Sequence, residues 1–153
     1  MSLFSVPHAL SRASRVTWGG TAARYIVTLV CAASAGVHAA LIGPHLAEGG
    51  LPLGGAFAVA ALLLAASALA VRQPRHDAWA PLAAAGVLAL TAAAYLLSRT
   101  AGIPLLIPAA EHFDVLGAVT TAAELAGAIT GAALASVHAL TPPTLPPSGK
   151  DNP

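Results

Sequence analysis

Residues 54–98 read GGAFAVAALLLAASALAVRQPRHDAWAPLAAAGVLALTAAAYLLS, and the reading of this stretch decides the fold. Two runs, 54–71 and 78–98, contain no charged residue and are nearly pure Ala, Leu and Val. A short basic turn holding Arg72 and Arg75 joins them. A hydrocarbon core of about 30 Å is crossed by about 20 mainly apolar helical residues, so each run is long enough to span. Moving outward, 25–42 and 113–140 are apolar runs of similar or greater length, although these two carry the ionisable groups. The expected fold is therefore all-α, a membrane-spanning four-helix bundle over 25–140. An N-terminal segment 1–24 precedes it and a Pro-rich tail 141–153 follows.

The composition of the whole chain agrees. Of 153 residues 57% are hydrophobic and 8% charged, with a mean hydropathy of +0.77. A water-soluble domain carries roughly 25% charged residues, so this chain could not cover its surface with polar groups in water. The 12 Pro and 14 Gly gather mostly between apolar runs or in the tails, as turns between helices do. A net charge of +1 without a basic run gives no support for nucleic-acid binding. Cys31 is the single cysteine, which excludes an intramolecular disulfide or a thiol pair.

Lys and Arg are enriched on the cytoplasmic flanks of short-looped membrane proteins. Arg12, Arg15 and Arg24 precede the first run, Arg72 and Arg75 lie in the turn after the second, Lys150 lies in the tail, and Arg99 alone falls on the other side. This predicts a multi-pass protein of the inner (plasma) membrane with both termini cytoplasmic. A cleaved signal peptide ending at Ala33-Ser34-Ala35 is the competing reading of the N-terminus. The basic region before the run is long and cleavage would leave an odd three-helix remnant, so retention is expected. Pro142, Pro143, Pro146 and Pro147 favour an extended tail.

With that topology the polar side chains sort to the outer side. His45 and Glu48 are placed in the first outer loop, Arg99, Glu111, His112 and Asp114 in or beside the second, and His38 about one turn inside the first helix. Glu124 lies about 15 Å along the fourth helix from Asp114. The expectation is a polar funnel opening outward. Cys31, His38 and His45 recur every seven residues and share a face as far as Gly43-Pro44 lets the helix continue. In the fourth helix Asp114, Gly117, Thr121, Glu124, Ala128 and Gly131 form a small-or-polar stripe that turns Glu124 to the bundle interior. Glu111 and Asp114 also suit the positive end of a helix. An ion pair of Arg99 with Glu111 or Asp114 is expected to fasten the loop. The apolar, Pro-broken segment 102–108 is expected at the membrane interface or folded back as a lid.

Gly36-Val37-His38, Pro44-His45-Leu46-Ala47-Glu48, the Gly-Gly-Ala-Phe at 54–57, Tyr95-Leu96-Leu97-Ser98-Arg99-Thr100-Ala101-Gly102-Ile103-Pro104 and the acidic start of the fourth helix with its buried Glu124 resemble a group of small four-helix membrane proteins of high-GC bacteria. The similarity spans most of 36–125. It implies the same architecture and the same polar residues, and no activity.

Imidazole and carboxylate ligands suit Zn, Cu(II), Fe or Ni, so the expected function is binding of a small cation or transition-metal ion. His38, His45, Glu48, Glu111, Asp114 and Glu124 form the ligand pool, although no CxxC or HExxH spacing is present. The alternative is a structural or accessory subunit that packs on other membrane subunits or on itself through its small-residue faces. Haem held by His38 and His138 would need two histidines at opposite ends of the bundle. Catalysis ranks last, because neither a nucleophile with its base nor a glycine-rich phosphate loop is present.

Overall fold

The computed structural model describes residues 7–73 and 78–140, with side chains described from Gly20 onward. Residues 1–6, Arg75 in the turn 74–77, and the tail 141–153 with Lys150 lie outside the described residues. Ala and Leu, the strongest helix formers, dominate the rest, and the outcome is three helical elements with no strand among the described residues. These are α1 (Pro7–Arg72), α2 (Trp79–Thr100) and α3 (Val115–Leu140).

The element count differs from the expected four because the first two apolar runs belong to one helical element. α1 is broken at a single residue, Gly50, with φ 66° and ψ −162°. Its two arms, 7–49 and 51–72, run back along one another. Arg24 Nη1 donates to the carbonyl of Val71 at 3.2 Å, whereas 47 residues of straight helix would separate them by about 70 Å. Near the fold-back the arms touch: a Cβ on Gly54 would lie 3.0 Å from the Leu46 Cα.

Two boundary expectations change with this. The first helix does not stop at Gly43-Pro44; Pro44 is inside it, and His45 and Glu48 are helical rather than in a loop. A proline removes one backbone donor, and packed neighbours and local adjustment can absorb that loss. At the other end, residues 7–24 of the expected cytoplasmic segment already belong to α1.

Burial follows the helical period on every element. Val27, Cys31, Ser34 and Ala35 are buried on the first arm, Ala61, Leu64, Ser67, Ala68 and Val71 on the second, and Ala84, Ala85, Leu88 and Ala92 on α2. On α3 the buried face is Thr121, Glu124, Gly127, Gly131, Leu134 and Ala135. Small residues set the spacing: a Cβ on Gly127 would lie 2.8 Å from Val30 and one on Gly131 2.9 Å from the carbonyl oxygen of Pro81. Of the expected α3 stripe, Thr121, Glu124 and Gly131 are buried, Gly117 and Ala128 are half-buried, and Asp114 is exposed.

The outer surface is the apolar one. Leu29, Leu62, Leu90, Val119 and Ile129 are each more than half exposed, while Ser34, Ser67, Thr121 and Glu124 are inside. That inversion, with three helices long and apolar enough to cross a membrane, is compatible with a multi-pass membrane protein.

At the end of the bundle away from Gly50, Arg24 ties three segments together. Its guanidinium donates to the carbonyls of Val71 and Gln73 at 3.2 and 3.1 Å and to His138 Nε2 at 3.3 Å. His138 Nδ1 donates to the Leu134 carbonyl at 2.7 Å, which leaves Nε2 as the acceptor Arg24 needs. A cation beside the last carbonyls of a helix is well placed for its dipole.

Candidate functional site

The first arm of α1 supplies two imidazoles in one orientation. His38 Nδ1 and His45 Nδ1 each lie 2.9 Å from the carbonyl oxygen four residues earlier, of Ser34 and Leu41. A carbonyl only accepts, so in both rings Nδ1 carries a proton, and in the neutral form of either ring Nε2 is the acceptor. Across the fold-back, Phe57 stacks on His45 with ring centroids 3.9 Å apart and reaches His38 at 5.6 Å. The three rings make one aromatic wall.

α3 contributes Glu124, 1% exposed, whose Oε1 accepts the hydroxyl proton of Ser34 on the first arm. Ser34 Oγ is also 3.4 Å from His38 Nδ1, so His38, Ser34 and Glu124 form a chain. Its order is unlike that of a hydrolase: the serine proton is directed to the carboxylate and the imidazole proton to a backbone carbonyl. The imidazole is therefore not placed as the base of a serine–histidine pair, and the serine holds the buried carboxyl group in place.

The connection from α2 to α3 closes the same end. Gly102 and Leu105 take positive φ, and Ile103 and Ile107 exchange backbone hydrogen bonds of 2.6 and 2.8 Å across a tight turn. Arg99 donates to Glu111 Oε2 and to Asp114 Oδ2, each at 2.8 Å, making both of the pairs considered above. Asp114 also caps α3, its Oδ1 accepting from Gly117 N at 2.6 Å. Tyr95 donates to the Asp114 carbonyl at 3.1 Å. Its ring occupies the space a Cβ on Gly117 would need, which explains a glycine in the first turn of α3.

Between these elements lies a cavity of about 800 Å³. All six candidate ligands, His38, His45, Glu48, Glu111, Asp114 and Glu124, line it, together with His112 and Arg99. Ile103, Leu106 and Ile107 of the folded turn line it as well, while Leu105 at the tip is 97% exposed. The segment 102–108 thus folds over the bundle end with one side turned in and its tip turned out.

Sharing a cavity is not convergence on a point. Among the described residues no group of three or more His, Cys, Asp or Glu could hold a metal ion. The reason is visible in the partners: Arg99 takes Glu111 and Asp114, Ser34 takes Glu124, and each imidazole Nδ1 is spent on its own helix. His138 is 14 residues beyond Glu124 on α3, about 20 Å away along the axis, so it cannot share a haem with His38.

Sequence reasoning missed Ser34, Phe57 and Tyr95. Ser34 had one usable signal, its position four residues before His38 on the same helix face. Phe57 and Tyr95 depend on where the chain folds back and on how the α2–α3 connection turns. Comparison with known protein families, curated proteins and solved structures finds no match to this chain.

Proposed function

We propose that the chain crosses the inner membrane four times, the two arms of α1 counting as separate crossings, with both termini cytoplasmic, and that it binds a small cation in the cavity at the outer end. Arg24 and Arg72 stand at one end of the bundle and the cavity at the other, in keeping with cytoplasmic enrichment of Arg and Lys. The carrying observation is Glu124. An ionisable group this deep in an apolar bundle is costly, and this one lines a cavity whose described walls hold four carboxylates against one guanidinium. Arg99 is matched by Glu111 and Asp114, so the lining holds no further guanidinium or ammonium group for the carboxyls of Glu48 and Glu124.

This reading replaces a protein-coordinated transition metal by a cation paired with Glu124. It is tested by equilibrium binding of Na⁺, Zn²⁺, methylammonium and tetraphenylphosphonium to the purified full chain in mild detergent. At least one cation is expected to bind with unit stoichiometry and to lose about tenfold or more in affinity in Glu124→Gln, a change of about 1.4 kcal/mol. No saturable binding, or binding that Glu124→Gln leaves unchanged, would contradict it.

A second reading, an accessory subunit, is favoured by one surface feature. Gly36 and Gly43 on the first arm are exposed, with open space where a side chain would stand, and Ala32, Ala39 and Ala40 lie beside them. Such a face suits close approach of another membrane helix, from a second copy or a different subunit. Stoichiometric co-purification that Gly36→Leu abolishes would support it, and an unchanged monodisperse monomer in both forms would count against it.

A further inference from the structure

Resting on the cation reading above, we infer that the occupant is an organic cation with an aromatic or bulky apolar body. Three features of the cavity select this class. At about 800 Å³ it is far larger than a metal ion needs and falls in the range of drug-sized ligands. Its walls are mixed in a way that suits one molecule with two characters. Leu41, Leu53, Leu106 and Ile107 offer apolar surface, and the stacked rings of His45 and Phe57 offer aromatic surface. Glu124 offers the balancing charge deep along α3.

An inorganic ion fits these walls poorly. A hydrated ion would trade water for apolar side chains without recompense. A dehydrated one needs several converging donors, and the described residues bring no three His, Cys, Asp or Glu side chains together to hold one. An organic cation loses little on dehydration of its body, gains by burying it, and places its charge near the carboxylate and over the aromatic wall. In the neutral rings the imidazole Nε2 atoms are acceptors, because each Nδ1 is bonded to its own helix, and they suit the N–H groups of a protonated amine. The guanidinium of Arg99 lies over the Tyr95 ring, 4.9 Å from its centroid, and is held there by Glu111 and Asp114. The repulsion it would exert on such a ligand is therefore largely cancelled.

The test uses the purified full chain in mild detergent and isothermal titration with benzyltrimethylammonium, tetramethylammonium, the neutral isostere neopentylbenzene, and Zn²⁺. Benzyltrimethylammonium is expected to bind about tenfold more tightly than tetramethylammonium and to release in Glu124→Gln. Phe57→Leu, which keeps apolar volume and removes the ring, is expected to weaken it by about threefold to tenfold, and Phe57→Tyr to restore it. Neopentylbenzene binding as well as the cation would overturn this inference, and the absence of Glu124-dependent binding for every cation tested would overturn the cation reading with it. Zn²⁺ or tetramethylammonium binding in a Glu124-dependent way while benzyltrimethylammonium does not would overturn this inference alone. If Phe57→Leu fails to fold, the ring is tested by Phe57→Tyr and His45→Ala; loss of binding in the first, or none in the second, counts against the aromatic wall.

Discussion

Gly50→Ala is expected to destabilise the folded chain by about 1–3 kcal/mol. The residue sits at φ 66° and ψ −162°, a region open essentially to glycine alone. A Cβ there would meet only Pro52 Cδ, at 3.9 Å, which is ordinary contact. The whole penalty is therefore torsional and cannot be relieved by a neighbour moving aside. Gly55→Ala makes the control, since Gly55 is helical and its Cβ position is open. There the better helix former is expected to stabilise by up to about 1 kcal/mol. Opposite signs for glycines five positions apart, read from unfolding midpoints in a denaturing detergent titration, would locate the fold-back at Gly50. Equal midpoints for Gly50→Ala and the parent chain would show that the arms reverse by other means.

The second large effect is expected at Ser34. Its hydroxyl donates to the carboxyl of Glu124, a residue only 1% exposed, so Ser34→Ala leaves Glu124 Oε1 desolvated without that donor. A cost of about 1–3 kcal/mol follows. In a Glu124→Leu background the same substitution removes nothing of value and is expected to be nearly neutral. The coupling between the two positions should be about 1–2 kcal/mol, the upper part of the range for hydrogen bonds between membrane helices. Additive effects would mean that Ser34 and Glu124 act independently and that the chain from His38 to Glu124 is incidental.

The apolar runs, the α3 face carrying Glu124, the pairing of Arg99 and the folding-back of 102–108 were legible because each rests on local rules: length, period, charge and the behaviour of proline. Less was legible where two segments distant in sequence meet. Gly43-Pro44 looked like the end of the first helix and Gly49-Gly50 like part of a loop. In the bundle the proline is tolerated and one glycine makes the whole reversal, because only Gly50 is forced out of helical torsion. The same reversal carries Phe57 onto His45, a contact no spacing rule could anticipate. Arg24 read as a topological charge, and it also closes the far end through Val71, Gln73 and His138. The six candidate metal ligands all line one cavity. Their failure to converge reflects hydrogen bonds and ion pairs that sequence does not reveal.

The central claim is an outward-opening cavity that receives a cation, and thiol labelling in intact cells tests it most directly. Cys31 is the chain's single cysteine, so a Cys31→Ser background permits one reporter at a time. His45→Cys places a thiol on the cavity wall and Gln73→Cys one at the Arg24 end. A membrane-impermeant trimethylammonium thiosulfonate, itself an organic cation, is expected to modify His45→Cys from outside and to reach Gln73→Cys only after the membrane is permeabilised. Labelling of Gln73→Cys in intact cells with His45→Cys untouched would contradict the account.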